Sequence, residues 1–164
     1  IFNDIISQGT VPLRPGVERL MEEAHQNNIQ LAVCSTSNEK AVRNLVTTLL
    51  GPERASKFFH NNAIFAGDIV SNKKPAPDIY NLAVQTLKLD KTRCVIVEDS
   101  SIGFHAAFAS GICCIVTKSV YTKHENFDGA DLIVTDLDGS DGFSDPVTLH
   151  TIEELLAKRL SKTT

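Results

Sequence analysis

The chain has 164 residues, 42% of them hydrophobic and 22% charged, with a formal net charge of −4 and a pI near 5.7. That length and composition predict one globular domain spanning 1–164. The mild acidity points away from a nucleic-acid backbone or an anionic membrane surface as partner, and no apolar run approaches the roughly 20 residues of a membrane helix. The sequence opens at Ile1 with neither Met nor a signal- or transit-like stretch, so no cellular address is legible in it.

From Pro15-Gly16 onward, Val17, Leu20, Met21 and Ala24 recur at helical spacing, with proline suited to a first turn and Asn27-Asn28 closing the helix. Residues 29–34 read as an apolar strand. Ser35-Thr36-Ser37-Asn38 follows, then a helix through Ala41, Val42, Leu45, Val46 and Leu50 that stops at Gly51. Residues 63–66 and 69–70 are short extended pieces. Pro77-Asp78 starts a helix with Ile79, Leu82, Ala83 and Leu87 on one face. Residues 94–97 and 112–116 lack polar alternation, the pattern of strands buried on both faces. Between them Ser101–Ser110 reads as a helix ended by Gly111. A strand at Leu132–Val134 and a C-terminal helix within 151–164 complete the chain. Short apolar strands alternating with amphipathic helices predict a parallel sheet covered by helices on both faces, with ligands bound beyond the carboxyl ends of the strands.

Cys34, Cys94, Cys113 and Cys114 each sit in an apolar run without C-x-x-C spacing, which reads as small buried core residues in a reducing compartment. The five histidines are scattered, and His105 reads as structural.

Three sites at strand ends or loops carry chemistry. Ser35-Thr36-Ser37-Asn38 offers hydroxyls and backbone N–H groups at a helix N-terminus, suited to an anion, although Ser and Asn also serve as plain caps. In Lys73-Lys74-Pro75-Ala76-Pro77-Asp78, Pro75 restricts Lys74 to an extended backbone. That lysine either neutralises a phosphate as a point charge or is a solvated surface residue. Glu98-Asp99 places two carboxylates at the end of a buried strand, where they hold a divalent cation such as Mg²⁺ or complement a helix dipole.

The order Ser35, then Lys74-Pro75, then Glu98-Asp99 resembles the haloacid dehalogenase (HAD) superfamily of phosphohydrolases. These residues match its motif-two Ser/Thr, motif-three lysine and motif-four acidic pair. Leu13-Arg14-Pro15-Gly16, the segment 33–42, Leu50-Gly51-Pro52-Glu53-Arg54-Ala55 and Cys114-Ile115-Val116-Thr117-Lys118 look like its CbbY-like subgroup, which is similar to β-phosphoglucomutases. The resemblance implies a three-layer α/β/α, Rossmann-like parallel sheet, incomplete at the N-terminus, with residues 1–10 as the end of a cap. It implies a Mg²⁺-dependent phosphatase acting on a phosphorylated sugar, xylulose 1,5-bisphosphate among the candidates, in chloroplast or cytoplasm. Ser35 and Lys74 would be catalytic, Thr36, Ser37 and Asn38 would bind substrate, and Glu98 and Asp99 would hold the metal. A phosphoglucomutase-like phosphotransferase and a truncated, non-catalytic protein are the alternatives.

The superfamily's D-x-D-G-[TS] motif, whose first Asp attacks phosphorus and whose second is the general acid and base, does not precede Ser35. Its strand would lie between those carrying Ser35 and Glu98, and those flanking strands would then lack hydrogen-bond partners. Asp136-Leu137-Asp138-Gly139-Ser140 imitates the motif, but a loop follows it rather than a helix, so Asp136 and Asp138 read as surface turn residues.

Overall fold

The structure is a computed structural model that describes residues 12–60 and 63–162; the segment expected to end a cap lies outside them. In chain order the described elements are α1 (Val17–Gln26), β1 (Val33–Cys34), α2 (Glu39–Leu50), α3 (Pro52–Phe58), β2 (Ile64–Phe65), α4 (Asp78–Leu87), a 3₁₀ turn (Lys91–Arg93), β3 (Val95–Glu98), α5 (Ser101–Ser110), β4 (Cys113–Thr117), β5 (Leu132–Val134) and α6 (Leu149–Ser161). All strand pairings are parallel. β1 pairs with β2, and a second sheet runs β3-β4-β5 with Glu98 opposite Val116 and Thr117 opposite Val134. Among the described residues β1 and β3 are not paired with each other.

The period-two alternation of strands sends neighbouring side chains to opposite faces. Cys114 and Val116 of β4 pack with Ile79, Tyr80 and Ala83 of α4 and Phe104, Ala106 and Ala107 of α5. Ile115, between them, packs with Leu20 of α1 and with Leu149, Ile152 and Leu155 of α6. Every residue of β4 is buried, as its unbroken apolar run predicts. β1 is split the same way: Cys34 joins the first cluster, and Val33 joins a third built on Val42, Val46 and Leu50 of α2 and Phe58 of α3. The expected three-layer α/β architecture is therefore present.

Local differences have local causes. The strand expected over 29–34 shrinks to Val33–Cys34, because β2 offers only two residues to pair with it. Residues 69–70 are a bend and not a strand. α3 was not foreseen; a seven-residue helix is too short to show periodicity, although Gly51-Pro52 places proline at its first position. Cys113 and Cys114 are buried as expected, whereas Cys34 and Cys94 are only half-buried. All four thiols are free. Among the described residues no helix is long and apolar enough to cross a membrane.

Two contacts fix the two ends of the second sheet, the first at the carboxyl ends near which the site lies and the second at the opposite ends. Arg14 donates to the Thr117 carbonyl (2.7 Å), the Thr117 hydroxyl (2.9 Å) and the Thr135 carbonyl (2.7 Å), clamping the ends of β4 and β5. Asp131 accepts the Cys114 N–H (2.8 Å) and two hydrogen bonds from Arg159 of α6. Phe104 is the aromatic centre of the core, 1% exposed, with ring contacts to Phe108 and Phe127. Phe104→Ala is expected to lower stability by about 3–5 kcal/mol, read from the urea unfolding midpoint.

Candidate functional site

The site is built where β1 and β3 end. Ser35 follows β1 directly, and its N–H donates to the Phe65 carbonyl (2.9 Å), extending the β1–β2 pairing by one residue. The next turn is tight: the Ser35 hydroxyl accepts from the Ser37 N–H (3.2 Å), and the Ser37 carbonyl accepts from the Gly67 N–H (2.8 Å). Gly67 is required there, since a Cβ would lie 2.2 Å from the Thr36 carbonyl oxygen. Thr36, Ser37 and Asn38 are exposed. Asn38 is the N-cap of α2, its Oδ1 accepting from the Ala41 N–H (3.0 Å). The Glu39 N–H donates to Asp68 (3.3 Å). Two first-turn N–H groups are thus already satisfied by side chains, and the exposed Asn38 side-chain amide and Thr36 and Ser37 hydroxyls are further donors beside them.

Lys74 arrives on the loop before α4. The Lys74–Pro75 peptide bond is cis, and the Ala76 N–H donates to the Lys73 carbonyl (3.0 Å), closing a turn. Asp78, the first residue of α4, accepts from the Asn72 side chain (3.0 Å) and pins the front of the loop. The lysine, one alternative for which was a solvated surface position, has a side chain only 8% exposed. Its Nζ donates to the Cys34 carbonyl (2.9 Å) and to Glu98 Oε1 (2.5 Å). One ammonium therefore joins the ends of two sheets.

Glu98 ends β3 with its side chain 11% exposed. Its Oε1 also accepts from the Tyr80 hydroxyl. Its other oxygen faces the first turn of α5, where a Cβ on Gly103 would come within 1.9 Å of Oε2. Two caps complete that turn: Ser100 accepts from the Gly103 N–H (3.2 Å), and Glu125 accepts from the Ser101 N–H (2.5 Å). Asp99 is exposed and forms no ion pair with another described residue. No group of three His, Cys, Asp or Glu side chains able to hold a metal occurs among the described residues. One open carboxylate at a strand end fits Mg²⁺, which takes one or two protein carboxylates and completes its shell with substrate oxygens and water. Glu98 is committed to Lys74 and Tyr80, which leaves Asp99 as the open carboxylate of the pair.

Burial pushes the Cys34 thiol up to about 12 despite the nearby Lys74 charge, a shift that favours its protonated form. A concavity of about 400 Å³ lined by Arg14, Arg19 and Asp138, and another of about 330 Å³ beside Ile69 and Asp78, include none of Ser35, Lys74, Glu98 or Asp99. Sequence reasoning missed Tyr80 and Gly103. The signal for Tyr80 is its place six residues after Lys74, on the first turn of the helix the Lys-Pro loop leads into.

The imitation motif is structural. Asp136, expected at the surface, is 6% exposed; its Oδ1 accepts from the Asp138 (2.9 Å) and Ser140 (3.1 Å) N–H groups. A short polar loop draws its own carboxylate inward when backbone donors surround it. Asp138 is a turn residue as expected, paired with Arg19 (2.7 Å).

The sequence model for haloacid dehalogenase-like hydrolases matches residues 1–111. A CBBY-like protein of Arabidopsis thaliana is 55% identical over 133 residues, covering 81% of this chain and 40% of that protein. The crystal structure of CbbY from Rhodobacter sphaeroides in complex with phosphate superposes with a TM-score of 0.75 at 40% identity, over 82% of this chain and 59% of that one. A variant of the same bacterial protein, in complex with xylulose-(1,5)bisphosphate, superposes equally well. The chain spans about half the length of the curated relatives it matches.

Lys74→Met leaves Glu98 as an uncompensated buried charge and is expected to cost about 3–5 kcal/mol, whereas adding Glu98→Gln to it should restore part of the loss in urea unfolding. In the loop beyond β5, Asp141 accepts from the Phe143 N–H, the Thr135 hydroxyl and the Ser144 N–H, which hold its carboxyl below its ordinary value of 3.8. A depressed carboxyl stabilises the fold above its unfolded value and loses that contribution as pH falls through the folded one. Asp141→Asn is expected to flatten the stability decline below about pH 5, measured as the thermal midpoint against pH.

Proposed function

The chain belongs to the haloacid dehalogenase-like hydrolases, and from that premise we propose that these residues form the phosphate-holding part of a Mg²⁺-dependent phosphatase for a phosphorylated sugar. Xylulose 1,5-bisphosphate is the substrate favoured. The observation that carries the reading is the meeting of the Ser35 turn, Lys74 and Glu98 at neighbouring strand ends, with Lys74 Nζ 2.9 Å from the Cys34 carbonyl and 2.5 Å from Glu98. The choice of substrate is supported by the sugar bisphosphate bound to the 40% identical bacterial protein. With it goes a photosynthetic compartment, the chloroplast in a plant.

Each residue has a separate task. The Ser35 hydroxyl donates to a phosphoryl oxygen. An ammonium has three hydrogens; two of those on Lys74 are taken by Glu98 and Cys34, and the third is left for the phosphoryl group. Asp99 holds the metal, and Glu98 holds Lys74. Bound Mg²⁺ supplies neutralising charge for the phosphoryl oxygens. Thr36, Ser37 and Asn38 hydrogen-bond the distant phosphate through their exposed donors at the start of α2. The resemblance implies a carboxylate nucleophile, and no D-x-D-G-[TS] motif precedes Ser35 in these 164 residues. What the described residues contribute is positioning and charge neutralisation, which account for most of phosphoryl-transfer catalysis.

Phosphate release from xylulose 1,5-bisphosphate by the intact protein tests the reading, with and without a chelator. Ser35→Ala is expected to lower turnover on the order of a hundredfold with the urea midpoint nearly unchanged. An intact protein that releases no phosphate from any sugar phosphate rejects the proposal.

A further inference from the structure

We infer that Tyr80 is a positioning residue of this site: through its hydroxyl it fixes the Glu98 carboxylate that in turn aims the Lys74 ammonium. The inference rests on the phosphatase reading above and adds to it a residue with no direct contact to substrate.

The hydroxyl of Tyr80 and the ammonium of Lys74 both donate to one oxygen, Glu98 Oε1. The other carboxylate oxygen is backed by Gly103, so Glu98 is held from two sides. Tyr80 also lies under Lys74, whose Nζ is 4.7 Å from the ring centroid, within the range at which a cation is attracted to an aromatic face. The tyrosine is 5% exposed and sits on the first turn of α4, with its N–H donating to the Pro77 carbonyl (3.0 Å). The segment that delivers Lys74 therefore also delivers the residue that steadies its partner.

Without the hydroxyl, Glu98 can rotate about its side-chain bonds, and Lys74 follows it while still bound to the Cys34 carbonyl. Small misplacements of a group that neutralises developing charge are costly to turnover. A filler role in the core requires the ring alone, and Tyr80→Phe retains the ring.

The test is Tyr80→Phe in the intact protein, assayed on xylulose 1,5-bisphosphate. Turnover is expected to fall roughly tenfold to a hundredfold, the range set by one hydrogen bond to a charged group, with KM within about twofold of the unsubstituted value. The thermal midpoint should drop by only a few degrees, roughly what one lost hydrogen bond produces. Unchanged kcat overturns the inference, and so does a collapse of the thermal midpoint, which marks a purely structural residue. If the unsubstituted protein hydrolyses no sugar phosphate, the phosphatase reading fails and Tyr80 is judged on the ¹⁵N resonance of the Lys74 ammonium. That resonance moves in Tyr80→Phe if the hydroxyl steadies the pair, and its staying in place overturns the assignment.

Discussion

The buried ion pair of Lys74 and Glu98 is the interaction around which the described molecule is arranged. Taking two charges out of water costs several kcal/mol each, and their attraction offsets this only when further hydrogen bonds satisfy both groups. Here they do. The ammonium gains the Cys34 carbonyl, and the carboxylate gains the Tyr80 hydroxyl. Among the described residues no buried side-chain nitrogen or oxygen lacks a partner. The pair also connects two sheets that share no backbone hydrogen bonds among the described residues, because β1 supplies the carbonyl and β3 the carboxylate.

The surroundings of the pair follow from that demand. The carboxylate lies against the start of α5 with no side chain between, and this is why a glycine occupies position 103. The same helix start carries the Ser100 cap and the Glu125 contact, so oxygen acceptors surround the positive end of its dipole. On the far side, the hydrogen bonds of Arg14 to Thr117 and Thr135 hold the ends of β4 and β5 level with the end of β3. Rigid strand ends are a requirement for a reaction in which the protein mainly positions charge.

Much of this was legible in the residues. The unbroken apolar run at 112–116 read as a doubly buried strand and is one. Ser101–Ser110 is the helix its sequence predicted, ended by Gly111. The order of Ser35, Lys74 and Glu98-Asp99 read as one constellation, and the fold brings the Ser35 turn, Lys74 and Glu98 together. Asp136 was misread as a surface residue, because burial of a polar loop depends on donors that sequence pattern does not count. Tyr80 was missed because its ring also satisfies the apolar face of α4, and only coordinates show which way its hydroxyl points.

By itself the sequence determined the alternation of strand and helix, the placing of chemical groups just after strands, and membership of a family of phosphate-handling hydrolases. These are carried by local periodicity and by motif order, which require no knowledge of distant contacts. Tertiary structure decided how the two acids of Glu98-Asp99 divide their work. Successive residues diverge at a strand end, so one carboxylate turns inward to a lysine and a tyrosine while its neighbour stays in solvent, open to a metal. Adjacent letters in a sequence carry no record of that divergence; the packing of α4 and α5 against the sheet creates it.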